Sequence, residues 1–399
     1  MEHLDGKCIV LGITGGIAAY KMANVASSLS KAGADVHVVM TRNAQQFITP
    51  LTFETLTHNP CVTDTFDRST PYEVTHISLA KAADLILIAP ATADIIAKMA
   101  NGIADDMLST VVLASTCPKL FAPAMNTAML LNPVTQENIK KLQRFGFTLI
   151  EPASGHLACG DSGKGKMPEP AVLVDWIERS IARPKDMTGL KVTVTAGPTE
   201  ESLDPVRYLT NHSSGKMGYA IAREAVLRGA EVNLISGPVS LEPVSGAEVT
   251  PVITAEDMYH AVQNQLPKTD ILIMAAAVAD YRPAEVSAEK IKKSNSDLVI
   301  STVRTPDILG SIGKNKPENL YICGFSMETS HLLENSRNKL KKKQLDMIAA
   351  NNVKVPGAGF GVSTNVVTLI TKDHEEALPL MSKQEVAKVL IDRILEYRK

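Results

Sequence analysis

Short runs of apolar, β-prone residues alternate with segments of helical spacing along this chain, and that alternation constrains its fold more than any other feature. Lys7 to Thr14 reads as a buried strand, Ile17 to Lys31 as a helix and Asp35 to Thr41 as a second strand. Asp84 to Ala91 (DLILIAPA) and Lys119 to Met125 (KLFAPAM) are further buried strands between helical segments. Runs that are apolar throughout, rather than at every second residue, indicate strands covered on both faces, as in a parallel sheet flanked by helices. The pattern restarts at Leu190, where LKVTVTAGP runs into a Gly-Pro turn. A helix is predicted from Lys216 to Leu227, then a strand Glu231 to Ser236, a helix Ala255 to Leu266 and a strand Asp270 to Ala277. The polar segment Arg183 to Gly189, with Pro184 and Gly189, reads as a linker. The expectation is an α/β chain of two doubly wound, Rossmann-like domains at 1–189 and 190–399.

A faint echo relates the halves. Lys21-Met22 opens a helical segment that ends at Gly33-Ala34 before DVHVVMT; Lys216-Met217 opens one that ends at Gly229-Ala230 before EVNLISG. Any two strand–helix–strand units look alike to this degree, so the echo alone does not require a duplication. Composition narrows the function classes. A length of 399 residues suits two or three domains. A net charge of -2 leaves no global basic field for nucleic acid or for an anionic membrane, so an anionic ligand must be held by local clusters. Cys8, Cys61, Cys117, Cys159 and Cys323 are scattered, odd in number and without a CxxC pair. That spacing argues against a disulfide framework and a zinc site and suits a reducing, cytoplasmic setting. The acidic start Met1-Glu2-His3-Leu4-Asp5 is unlike a signal peptide, and no run reaches the roughly 20 apolar residues that span a bilayer.

In the first half, GITGGIAAYK, Gly12 to Lys21, lies between a strand and a helix. Backbone amides at such a junction can receive a phosphate, and a tight turn in an α/β fold is the equally ordinary reading. NAD sites want an acid at the end of the second strand for the ribose diol. Here that strand ends Met40-Thr41-Arg42, and its counterpart in the second half ends Ile235-Ser236-Gly237. The pattern therefore favours nucleotides held by hydroxyls and amides. His76 sits in VTHISLAK at the end of an extended stretch, Asn126 ends the strand before it in PAMN, and Cys159 lies in the glycine-rich loop GHLACGDSGKGKM. Each has a bland reading: a structural histidine, a helix cap, a small buried hydrophobe. GDSGKGKM imitates a P-loop but has neither its spacing nor a preceding strand.

Together, GITGGIAAYK, MTRNAQQFITPLTFETLT, HISLAKAAD, APATADIIAKMANGIADDML, PAMNTAM and ACGDSGKGKM resemble the flavoprotein family of phosphopantothenoylcysteine decarboxylases, in order and over nearly the whole first half. One departure is Leu130, where the family commonly has an aromatic residue. The resemblance implies a flavodoxin-like domain with FMN bound by Gly15, Gly16, Thr41 and the Pro90-Ala91-Thr92 segment. It implies His76 as catalytic base, Asn126 as ligand of the substrate carboxylate and Cys159 as proton donor.

The second half carries Asn211-His212-Ser213-Ser214-Gly215 before a helix, Ala275-Ala276-Ala277-Val278-Ala279-Asp280, Lys290-Ile291-Lys292-Lys293 and a lysine cluster containing Lys339 and Lys343. Asn and Ser are ordinary helix caps and charge runs are usually solvated, yet Lys339 and Lys343 are spaced to share a helix face, as a triphosphate clamp requires. These motifs resemble the phosphopantothenate–cysteine ligases, and the whole chain resembles the fused decarboxylase–ligase arrangement. The resemblance implies a bifunctional enzyme of coenzyme A biosynthesis. It would join 4'-phosphopantothenate to cysteine through an acyl-cytidylate, releasing CMP and pyrophosphate, and then decarboxylate the product. Asn211 would hold the acyl intermediate, and Lys290 would bind CTP and act on the activation step. The segment Arg282 to Ser296, rich in Lys, Glu, Ser and Ala with few large apolar anchors, suits a mobile flap as well as a plain solvated loop. Ala275, Ala276, Asp280, Pro306, Asp307, Ile308, Leu309, Phe325, Lys339 and Lys343 would bind CTP, with Mg2+ accompanying the triphosphate. Small-molecule substrates, no nucleic acid, no membrane, and a homo-oligomer of trimeric decarboxylase and dimeric ligase units follow from the same resemblance. The rivals are a pyridine-nucleotide reductase, disfavoured by the missing ribose acids, and a non-enzymatic flavin-binding regulator, disfavoured by His76, Asn126 and Cys159 occurring together.

Overall fold

The computed structural model describes residues 4–66, 74–156, 162–293, 297–328, 331–352, 359 and 361–398. It divides into two compact units, Met1–Pro184 and Lys185–Lys399. The segment expected to be a linker is packed from Lys185 onward: the Lys185 ammonium donates to the Leu227 carbonyl, Met187 is buried, and Asp186 pairs with Arg228.

In the first unit β1 (Cys8–Ile13), β2 (Asp35–Met40), β3 (Cys61–Val62), β4 (Leu85–Ala91), β5 (Lys119–Pro123) and β6 (Thr148–Leu149) form a parallel sheet in the order β3-β2-β1-β4-β5-β6. Its helices are α1 (Met22–Lys31), α2 (Pro50–Thr57), α3 (Thr75–Ala82), α4 (Ala93–Asn101), α5 (Met107–Ala114), α6 (Thr127–Leu131), α7 (Pro133–Arg144) and α8 (Pro170–Ile181). Helices cover both faces, so β1 and β4 are buried at every residue and read as unbroken apolar runs. Val10, Ile86, Ile88 and Phe121 join Ile95, Leu108 and Ile139 in one core. The helix expected over Ile17 to Lys31 begins as a 3-10 turn, Ile17–Lys21, and becomes α-helical only at Met22. Tight first turns of this kind are common where a helix starts. The loop expected around Cys159 is instead flanked by an antiparallel hairpin of β7 (Ala153–His156) and β8 (Ser162–Lys166).

Proline cannot donate to a sheet ladder, and Pro90 sits where the β4–β5 register shifts between Ile88 and Ala91. The freed Pro90 carbonyl accepts from the Thr14 hydroxyl at 2.5 Å, tying the ends of β1 and β4 together. The sheet order reverses between these two strands, which is where doubly wound sheets open a ligand crevice.

The second unit repeats the plan. Its strands are β9 (Lys191–Ala196), β10 (Glu201–Ser202), β11 (Tyr208–Leu209), β12 (Glu231–Ser236), β13 (Ala247–Pro251), β14 (Ile271–Met274), β15 (Tyr281–Pro283), β16 (Thr302–Arg304), β17 (Tyr321–Glu328), β18 (Met347–Asn352), β19 (Thr364–Asn365), β20 (Val367–Ile370), β21 (Glu375–Ala377) and β22 (Met381–Ser382). Its helices are α9 (Lys216–Leu227), α10 (Ala255–Gln265), α11 (Ile308–Lys314), α12 (Leu332–Lys342) and α13 (Lys383–Tyr397). The main sheet runs β13-β12-β9-β14-β17-β18-β20-β21, parallel through β18 and antiparallel thereafter. The strand expected from Asp270 to Ala277 stops at Met274, because Ala277 turns to bond the Gly197 carbonyl at 2.9 Å. The order again reverses between β9 and β14.

Candidate functional site

Both sheets open a cavity at the switch point. In the first unit the cavity measures about 470 Å³ and is walled by Gly15, Gly16, Ile17, Thr92, Met125, Asn126, Met129 and Gly165 among others. Three loops build it. A Cβ on Gly15 would lie 2.5 Å from the Asn43 Cβ, so only glycine lets the β1 loop pass there. Thr92 caps α4 by accepting from the Ile95 N–H, and its own N–H lies 3.3 Å from the Thr14 hydroxyl oxygen. Asn126 caps α6, accepting from the Ala128 N–H at 2.8 Å. The β7–β8 hairpin closes over this loop: Met125 N–H donates to the Gly165 carbonyl at 3.0 Å and the Thr127 hydroxyl to the Lys164 carbonyl at 2.9 Å.

The expected first-half residues divide. Gly15, Gly16, Thr92 and Asn126 share the cavity. Thr41 does not line it: it follows β2, and its hydroxyl oxygen accepts from the Ala44 N–H at 3.3 Å. His76 is not at the end of an extended stretch: it lies in the first turn of α3, half-buried, and lines none of the cavities described. Cys159 falls outside the described residues. Leu130 is buried in the core with Ile139 and Leu142, so the position where an aromatic was expected faces inward, while Met129 meets the cavity. Thr14, buried and joining both cavity loops, was missed because its burial depends on a strand far away in sequence.

The second unit has two adjoining cavities. One, about 670 Å³, is lined by Ala276, Asp280, Pro306, Asp307, Ile308, Leu309, Phe325, Lys339 and Lys343 among others. The other, about 240 Å³, is lined by Ser213 to Gly218, Ala275, Ala276, Asn351 and Lys383 among others, and shares Ala276, Val278, Asp280, Phe325 and Lys339 with the first. All ten residues expected to bind the nucleotide thus line one or other of these adjoining cavities. Asp307 is the N-cap of α11, accepting from the Gly310 N–H at 2.9 Å, and also ion-pairs with Lys343. Burial alone would raise this carboxyl, but the Lys343 and Gly310 hydrogen bonds hold it below the usual carboxylate range. Lys339 donates to the Phe325 carbonyl at 3.0 Å.

Asn211 does not line either cavity. Its amide donates to the Ala277 carbonyl and its carbonyl accepts from the Ser213 N–H at 3.1 Å, which fixes the turn that does. Lys290 is exposed and lines neither. The segment expected to be a flap is anchored at described points: β15 pairs with β16, the Ser287 N–H bonds the Leu203 carbonyl at 3.0 Å, and the Ile291 N–H bonds Asp204 at 3.0 Å. Asp204 also accepts from the Val206 and Arg207 N–H groups at 2.8 and 2.9 Å and from the Arg207 guanidinium at 2.7 and 3.0 Å. Burial pushes this carboxyl up, but the donors prevail and bring it down to about 2. Composition suggested a loop without anchors; a buried aspartate outside the segment supplies one.

Away from these cavities, Cys8, Asp35 and His37 place ligand atoms within 4.8 Å of one another, a grouping that spacing along the chain does not announce. Asp35 is already bonded to Asn59 at 2.7 Å and to His37 at 3.1 Å.

Two doubly wound domains, each with an open cavity at its switch point, define a two-site α/β protein of the nucleotide-binding type. The family model described as Flavoprotein matches residues 1–182, and the DNA/pantothenate metabolism flavoprotein C-terminal domain matches residues 187–397. The chain is 46% identical over 396 residues to the coenzyme A biosynthesis bifunctional protein CoaBC of Vibrio vulnificus, covering 99% of this chain and 98% of that one. Its identity to the Bacillus subtilis protein of the same name is 47% over 395 residues, covering 98% and 97%. The Escherichia coli counterpart is 43% identical over 395 residues, with the same coverage. The chain belongs to the family of bifunctional coenzyme A biosynthesis proteins. It is an enzyme with a decarboxylase and a ligase activity, which removes both rival readings.

Proposed function

We propose that the chain ligates 4'-phosphopantothenate to cysteine at the expense of CTP in residues 190–399, and decarboxylates the product to 4'-phosphopantetheine with FMN in residues 1–189. The observation that carries this reading is what lies at the two switch points: in one unit a glycine-walled, largely apolar cavity, in the other two adjoining cavities that between them take in all ten expected nucleotide-binding residues.

A planar flavin suits the first cavity. Gly15 and Gly165 leave no room for a side chain, so backbone forms the wall, and Ile17, Met125, Met129 and Met167 offer apolar surface to a ring system. Gly15, Gly16, Thr41 and Thr92 would hold the cofactor. When bound, FMN supplies a two-electron acceptor that makes loss of CO2 from a cysteinyl group feasible and then returns the electrons. Asn126, in the cavity wall, would orient the departing carboxylate through its amide. His76 as base and Cys159 as the late proton donor rest on the family resemblance.

In the ligase half, the phosphopantothenate carboxylate attacks the α-phosphate of CTP, pyrophosphate leaves, and the cysteine amine then displaces CMP. Lys339 and Lys343 offer the positive charge a triphosphate needs, with Mg2+ accompanying it, and Phe325 an aromatic edge for the base. Asn211 orders the Ser213–Ser214 turn against the acyl group, and Lys290, between the Ser287 and Ile291 anchors, contributes positive charge to the activation step. Cytoplasmic location and a homo-oligomer of trimeric decarboxylase and dimeric ligase units belong to the same proposal; among the described residues no helix is long and apolar enough to cross a membrane.

The test supplies the full chain with 4'-phosphopantothenate, cysteine, CTP and Mg2+ and identifies products by mass. CMP, pyrophosphate, CO2 and 4'-phosphopantetheine are expected. Phosphopantothenoylcysteine without CO2 would refute the decarboxylase assignment, and no CTP consumption would refute the ligase assignment.

A further inference from the structure

At the end of the first sheet opposite its cavity, the starts of two strands bring three metal-ligating side chains together. Cys8 opens β1, Asp35 opens β2, and the two are partners in the parallel register. Side chains alternate along a strand, so Asp35 and His37 share one face of β2, and the cross-strand neighbour Cys8 shares it with them. The Cys8 sulfur, a His37 ring nitrogen and an Asp35 carboxylate oxygen all lie within 4.8 Å of one another. Two ligands at i and i+2 on one strand, with a third from the strand beside it, form a set that a sheet holds rigidly without any loop.

The distances suit a tetrahedral ion. Zinc takes imidazole nitrogen and carboxylate oxygen at about 2.0–2.1 Å and thiolate sulfur at about 2.3 Å, which places the two lighter ligands about 3.3 Å apart and the sulfur about 3.5 Å from each. His37 Nε2 and Asp35 Oδ2 already stand at 3.1 Å. Closing the rest asks for a displacement of at most about 1.3 Å, shared among three side chains. The carboxylate is also oriented from behind: the Asn59 amide donates to Asp35 Oδ1 at 2.7 Å and to the Val36 carbonyl at 3.0 Å, leaving Oδ2 toward His37. Outer contacts of this kind steer metal-binding carboxylates.

Charge points the same way. The Cys8 N–H donates to Asp84 at 2.9 Å, so a second carboxylate stands beside the group, and Lys7, the nearby ammonium, is paired with Asp84 at 3.3 Å. Burial first, then Asp35 and Asp84, push the Cys8 thiol up to about 11. Surroundings that resist a thiolate for want of positive charge attract a divalent cation, and on binding the thiol proton passes to solvent and the sulfur becomes a ligand.

We propose that Cys8, Asp35 and His37 form a binding site for a borderline-soft divalent cation of the Zn2+ class, which completes its coordination with solvent and pins the start of β1 to the start of β2. Sulfur, imidazole and carboxylate together select such an ion over Mg2+ or Ca2+, which take oxygen ligands. The His37 and Asp35 side chains are 23% and 55% exposed, so the ion enters from solvent without unfolding. The site stands apart from the two proposed reactions and does not rest on them. Scattered cysteines gave no zinc pattern in the sequence because these ligands meet only when β2 pairs with β1.

The experiment uses the full chain with Zn2+ as the probe, titrated in competition with a chromophoric chelator. The wild-type chain should take up a stoichiometric equivalent at about micromolar free Zn2+ or below. Cys8→Ser and His37→Gln should each raise the dissociation constant of that equivalent by on the order of 10-fold or more. His37→Gln alters a partly exposed side chain, which keeps the test usable if Cys8→Ser does not fold. With Co2+ in place of Zn2+, a sulfur-to-cobalt charge-transfer band should appear in the difference spectrum of the wild type and be missing in Cys8→Ser. Decarboxylation of supplied phosphopantothenoylcysteine without added metal should be unchanged in both variants. No stoichiometric uptake at micromolar Zn2+, an affinity that either substitution leaves unchanged, or a Co2+ spectrum without the sulfur band overturns the proposal.

Discussion

Gly165→Ala tests the flavin cavity at its tightest contact. Gly165 has φ +142, in a region that residues with a Cβ rarely enter, and its added Cβ would lie 2.2 Å from the Met125 carbonyl oxygen. The backbone conformation alone costs a non-glycine residue about 1–3 kcal/mol. Relieving the contact requires the β7–β8 hairpin to move away from the β5–α6 loop by on the order of 1 Å. That movement weakens the Met125 N–H to Gly165 carbonyl bond, worth about 0.5–1.5 kcal/mol. The total, about 2–4 kcal/mol, is charged against the arrangement that encloses the ligand. At about 1.4 kcal/mol per tenfold, FMN affinity of the apoprotein should fall by about 30-fold or more, measured by quenching of flavin fluorescence. Gly163→Ala in the same strand is the control. Its Cβ meets the Thr127 hydroxyl at 2.5 Å, a side-chain end that can rotate away with loss of one 2.9 Å hydrogen bond. It should weaken FMN binding by less than about 10-fold. An affinity in Gly165→Ala within about threefold of wild type, or an equal loss in both variants, would refute the hairpin as a wall of the site.

Three further outcomes are expected. Lys290→Gln should reduce pyrophosphate release on the order of 10²-fold while leaving decarboxylation untouched, because a charge that meets the α-phosphate as it is attacked is felt mainly in the transition state; near-normal release would make Lys290 a surface charge. Arg228 is 6% exposed and joins Asp186, at 2.8 Å from its Nε, to Asp392 on α13. Arg228→Met leaves two carboxylates that water can still reach, so urea unfolding of the second unit should show a loss of about 2–4 kcal/mol, below the value for a fully buried pair; a loss under about 1 kcal/mol would show that the cluster is incidental. Its hydrogen-bond donors hold the Asp204 carboxyl down to about 2, below the ordinary aspartate value of 3.8, so its contribution is present above about pH 4 and disappears as pH falls toward 2. Protection of the Ile291 amide from hydrogen exchange, taken relative to the intrinsic rate at each pH, should fall across that window, and in Asp204→Asn it should be low already at neutral pH; full protection in the variant would remove Asp204 as the anchor.

Local pattern was enough for the layer architecture. Unbroken apolar runs between helical segments arise only where both faces of a strand are covered, so a parallel sheet with helices on each side was legible in Leu85–Ala91 and Ile271–Met274 before any contact was known. The motif order was enough to identify the family, and it placed most cavity-lining residues, because in doubly wound sheets ligands collect at strand ends beside the order reversal. Tertiary structure decided what depends on distant partners. His76 and Lys290 carry chemically suggestive side chains, yet neither lines a cavity described in the chain. Asn211 proved to hold the Ala277 carbonyl rather than to line the space itself. Thr14 and Asp204 looked ordinary in sequence and became noteworthy only through burial and through bonds to residues far along the chain. The reason is physical: periodicity is set by neighbours three or four residues away, whereas desolvation and the pairing of a buried polar group are set by whatever element the fold packs against it.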